Sequence, residues 1–88
     1  MKIPKQVKIG GHIIKVVLKE MDNAGLSDYE KGEISINSKN PQTQIESTLI
    51  HEAMHFMNAN MADGVEHLLL ESLSQQIYQF LKDSNLLK

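Results

Sequence analysis

The chain has 88 residues, 41% of them hydrophobic and 23% charged, with no cysteine and a formal charge of -2 at pH 7. A chain this short buries only about 60 to 65% of its unfolded surface, which bounds it to one small domain over residues 1–88, and its balanced charge argues against nucleic acid as a partner. Disulfides and cysteine-held zinc are excluded, a reducing, cytoplasmic setting is expected, and apolar runs of three residues or fewer lead us to expect neither a membrane span nor a signal peptide.

The first twenty residues carry Lys2, Lys5, Lys8, Lys15 and Lys19 against Glu20 alone, a pattern expected of a solvated lysine face that blunts a sheet edge. From Gln6 to Leu18, β-branched residues flank Gly10-Gly11, which predicts a hairpin. A second extended pair is expected from Leu26 to Glu30 and from Glu33 to Asn37, joined across Lys31-Gly32. The sheet is therefore expected to hold three to four antiparallel strands.

At Asn40-Pro41 the pattern changes to helical, with Asn as N-cap, Pro at the first helical position and Thr43 with Glu46 as an alternative capping box. Ile45, Leu49, Ala53, Phe56 and Met57 recur at helical spacing to about Asn60. Met54, Met57 and Met61 read as gap-filling core. Met61 to Gly64 supplies the break, with Gly64 expected in the left-handed conformation. A second helix is predicted from about Val65 to Lys82, with Val65, Leu69, Leu73, Ile77 and Phe80 as its core stripe. The fold class is thus α+β, a small sheet packed on two helices.

The first helix contains His51-Glu52-Ala53-Met54-His55, a match to H-E-x-x-H. Residues four apart lie one above the other on a helix, about 6 Å apart at Cβ, so two imidazoles can converge on one tetrahedral cation. Glu52 sits beside that point, where it can act as general base for a water attacking a carbonyl. A catalytic zinc site takes three protein groups and leaves one position open, so the third donor is expected from the second helix. There His67, Leu70, Glu71, Ser74 and Tyr78 line a stripe beside the apolar one, and His67 with Glu71 are again four apart. His67 is the first choice as ligand. Glu71 is the alternate or additional ligand, or else the carboxylate that fixes a histidine tautomer. Glu66 ranks third. His12 is expected to be an exposed strand residue, and Tyr78 lies about 16 Å along the helix from His67, at the core edge. Tyr29 and the backbone of Glu33 to Asn37 suggest an exposed strand edge that could pair with an extended peptide.

The run Thr48 to His55, the hairpin opening Lys8-Ile-Gly-Gly-His12 and the helix Leu70 to Asp83 together resemble the short zincin-type metallopeptidases of bacteriophages and prophages, related to SprT-like and ImmA/IrrE-like proteins. The similarity covers most of the chain, and H-E-x-x-H is its chemically specific part. It implies a minimal zincin-like fold, Zn²⁺ held by His51 and His55, Glu52 as general base, a third ligand near the start of the following helix, and a peptide or protein substrate. For a phage protein, the setting implied is the host cytoplasm. The expected activity is zinc-dependent peptide-bond hydrolysis. The competing expectations are a non-catalytic phage accessory protein with a structural zinc site and a metal-free helical interaction module.

Overall fold

The computed structural model describes residues 2–61 and 64–84. Four strands precede two helices: β1 (Gln6–Ile9), β2 (His12–Lys19), β3 (Gly25–Asp28), β4 (Glu33–Asn37), α1 (Gln42–Ala59) and α2 (His67–Asp83). The α+β class is as the sequence predicts. The sheet order is β1-β2-β4-β3, and its two outer pairs are antiparallel.

The central pair, β2 with β4, is parallel, so the sheet is mixed rather than wholly antiparallel. The reason lies in burial. Ile34 to Asn37 in β4 are all buried, whereas no residue of β3 is. The more apolar strand therefore takes the inner place, and the polar one returns along the edge. The β1–β2 hairpin turns at Gly10 and Gly11, both at positive φ. Between β3 and β4, the Asp28 side chain accepts the Lys31 backbone N–H at 3.1 Å, which ends β3 two residues earlier than the apolar pattern suggests.

Helix α1 lies across one face of the sheet. Ile45, Leu49 and Phe56 pack there on Ile9, Ile14, Val16, Ile34 and Ile36, forming the core. The helix begins one residue later than its expected start, with Pro41 at the N-cap and no side-chain cap. Glu46 does not close a capping box. It is fully buried and accepts hydrogen bonds from Tyr78 at 2.8 Å, Lys82 at 3.1 Å and Gln42 at 3.2 Å. Met57 and Met61 are exposed rather than core-filling.

The helices break between Ala59 and His67, where the sequence places the break. Ala62 and Asp63, and with them the left-handed turn expected at Gly64, lie outside the described residues. The Asn58 side chain holds the chain here, accepting Val65 N–H at 2.6 Å and donating to Val65 C=O at 3.1 Å. A Cβ on Gly64 would come within 2.9 Å of Asn58 Oδ1, so close approach is what glycine provides.

Among the described residues, helix α2 packs on α1 and on no other element. Its buried residues are Leu70 and Ser74, not the expected core stripe. Leu69, Leu73 and Phe80 are exposed, and Glu66 is an exposed N-cap residue outside the helix. The cause is the surface that α1 offers, which carries Glu46, His51 and His55. A polar surface recruits the stripe of α2 that can hydrogen-bond to it, and the purely apolar stripe is left outside. No helix among the described residues is long and apolar enough to cross a membrane.

Candidate metal centre

On α1, one helical turn brings His51 and His55 together as the i, i+4 spacing requires. Their Nε2 atoms are 3.0 Å apart, with ring centroids separated by 4.5 Å. Ligand atoms of His51, Glu52 and His55 all lie within 4.8 Å of one another, so this group could hold a metal ion.

His67 joins them from the first turn of α2. Its ring centroid is 5.1 Å from that of His55 and 6.5 Å from that of His51, so three imidazoles meet at the helix–helix seam. His67 Nε2 lies 3.2 Å from Glu71 Oε1. Neither residue named for the third position belongs to the group whose ligand atoms lie within 4.8 Å of one another, which among the described residues is His51, Glu52 and His55. His67 borders it ring to ring, and Glu71 contacts His67. His12 stays on the surface at the start of β2, and Tyr78 is engaged with Glu46.

Two serines complete the arrangement. His51 Nδ1 lies 3.2 Å from Ser74 Oγ, and that hydroxyl donates to the Glu71 backbone carbonyl at 2.8 Å. With its hydrogen committed, Ser74 Oγ accepts from Nδ1–H of His51. This network puts the His51 lone pair on Nε2, which accepts across the 3.0 Å contact from Nε2–H of His55; His55 has to move that proton to Nδ1 before both Nε2 atoms can hold an ion. From the sequence, Ser74 reads only as a small residue that lets the helices approach.

Ser27 on β3 is the residue that sequence reasoning misses. Its hydroxyl donates to Glu52 Oε1 at 2.6 Å, a short charge-assisted bond to a buried carboxylate. The other oxygen, Oε2, lies 3.9 Å from His51 Nε2, so one oxygen is anchored while its twin borders the histidines. Gly25 makes this reach possible. A Cβ there would lie 2.5 Å from Thr48 Cγ2 and 3.3 Å from Glu52 Cγ, so only glycine lets β3 come this close to α1. Period-two alternation then puts Ser27 on the same face. The strand edge beside the site accordingly belongs to β3, and the Glu33–Asn37 edge considered above is paired on both sides.

Electrostatics favour a neutral His55. Burial lowers its pKa most, the neighbouring His51 and His67 add to this, and Glu52 and Glu71 oppose it. The Tyr29 phenol, whose ring packs on Phe56 at 4.9 Å, is pushed up by burial and by the Glu52 carboxylate.

Compared with protein-family models, curated proteins and solved structures, the chain matches none.

Proposed function

We propose that the protein is a zinc-dependent metallopeptidase-like hydrolase that acts on a peptide or protein substrate, in the cytoplasm. The observation that carries this reading is the convergence of His51 Nε2 and His55 Nε2, 3.0 Å apart, beside a buried Glu52 carboxylate. The donor set fits zinc, since imidazole nitrogen and carboxylate oxygen are its usual ligands in a chain with no cysteine. His51 and His55 would hold the ion with His67 as third ligand, and Glu71 would orient the His67 ring. Zn²⁺ bound there supplies a Lewis acid that polarises a carbonyl and acidifies water.

The remaining work falls to the chain's own residues. Glu52 takes a proton from the attacking water through Oε2 and returns it to the leaving amine. Ser27 keeps Oε1 fixed, so the free oxygen does not rotate away from the histidines. Ser74 keeps His51 in the tautomer whose Nε2 carries a lone pair. The resemblance to zincin-type phage proteins supports the same assignment.

Purified protein loaded with zinc is expected to cleave an unstructured peptide, and Glu52→Gln to lose that activity while retaining the metal. Equal cleavage by the variant contradicts the enzymatic role. The proximity of Glu71 to His67, at 3.2 Å, favours one other reading. If His51, His55, His67 and Glu71 all bind, the site is closed and structural, and zinc pins the two helices together without catalysis.

A further inference from the structure

Helix α2 is amphipathic, yet the fold buries only Leu70 and Ser74 of it. Leu69, Leu73, Ile77 and Phe80, spaced at four, four and three residues, run down one flank of the helix. Leu69, Leu73 and Phe80 are 55%, 44% and 62% exposed, and Leu68 in the same first turn is 68% exposed. Nothing else among the described elements reaches this flank, because α2 touches only α1. We propose that this flank is the contact surface of a homodimer, in which the α2 helices of two copies pack antiparallel about a two-fold axis.

Three observations select a second copy as the occupant. The first is area. At about 200 Å² for a fully exposed large apolar side chain, Leu69, Leu73 and Phe80 offer on the order of 320 Å², to which the half-buried Ile77 adds a little; Leu68 points away from the stripe and is not counted. A standard interface buries about 800 Å² per partner, of which about 56 to 65% is apolar, so the flank supplies well over half of that apolar share, enough for a dimer at the small end of the range. The second is charge. Between Glu71 and Lys82 the helix has no charged residue, and Ser72, Gln75, Gln76 and Gln79 supply the neutral polar surround. A copy therefore meets itself without like-charge repulsion, and a partner selected by charge finds nothing to read. The third is symmetry. An isologous contact needs a surface that complements itself when reversed. The stripe has a large apolar residue at each end and two between them, so Leu69 of one copy can face Phe80 of the other while Leu73 meets Ile77 near the axis.

His67 and Glu71 lie on the opposite flank of α2 from this stripe, so pairing leaves the candidate metal site uncovered. Dimerisation is thus independent of whether the protein binds zinc or cleaves anything.

Sedimentation equilibrium of the full chain at about 100 μM, well above the micromolar Kd expected of such an interface, tests the proposal. The wild type is expected at twice the 9.9 kDa chain mass. Leu73→Glu and Phe80→Glu, both at exposed positions, are each expected to keep the wild-type circular dichroism and to raise the dimer Kd at least about thirtyfold. A wild type that sediments as a monomer at this concentration overturns the proposal. So does a dimer that survives both substitutions.

Discussion

At the scale of single residues, the carboxylate of Glu52 is the most constrained group near the histidines, tied through one oxygen to Ser27 at 2.6 Å. If that bond sets the orientation of the general base, Ser27→Ala should lower kcat by about ten- to a hundredfold, the usual cost of losing an outer-shell partner. KM and zinc content should change little, and Ser27→Thr, which keeps the hydroxyl, should recover most of the rate. Cleavage by Ser27→Ala at the wild-type rate would remove the positioning role. The histidines and Glu52 are legible in the sequence because H-E-x-x-H is local, fixed by the geometry of a single helix. Ser27 is not, because it lies 25 residues from Glu52 and its reach depends on β3 taking the edge.

At the scale of elements, the attachment of α2 is the informative case. A helical wheel identifies two stripes on α2, but it ranks them by hydrophobicity, and that ranking assigns the wrong one to the interior. The deciding information sits on the other helix, where Glu46 and His51 demand polar partners that Tyr78, Lys82 and Ser74 supply. The parallel β2–β4 pairing escaped for a similar reason. Alternation reveals strands, but only the competition between β3 and β4 for the inner position fixes their order. Because Leu70 is the one buried large apolar residue of α2, Leu70→Ala should destabilise the protein by about 2 to 5 kcal/mol in urea unfolding. An effect below about 0.5 kcal/mol, typical of a surface site, would mean that α2 is not held as described.

At the scale of the whole molecule, the far end of the helix pair is closed by Glu46. Burial alone would raise its pKa, but hydrogen bonds, including those from Tyr78, Gln42 and Lys82, outweigh burial and bring it to about 2. The same contact pushes the Tyr78 hydroxyl up to about 12, with burial the larger cause. A carboxylate depressed in the folded state stabilises the fold above its unfolded pKa, and that stability is lost as pH falls through the folded value. Stability should therefore decline between about pH 4.5 and pH 2. Tyr78→Phe should cost about 1.5 to 3 kcal/mol at pH 7, the range for a hydrogen bond to a charged group. Lys82→Met should cost less, because that side chain is 42% exposed and its pair is partly screened by solvent. Equal stability of Tyr78→Phe and wild type across pH 2 to 7 would contradict this arrangement.

Metal content ties these scales together, since an ion at the helix seam would draw on one turn of α1 and the first turn of α2 at once. Zinc titration followed by calorimetry and thermal melting is the most direct measurement. The account predicts one zinc per chain, a melting temperature that rises with added zinc and falls back with chelator, and loss of both effects in His51→Ala and His55→Ala. Stoichiometric binding that persists when both histidines are replaced, or no binding by the wild type, would contradict it.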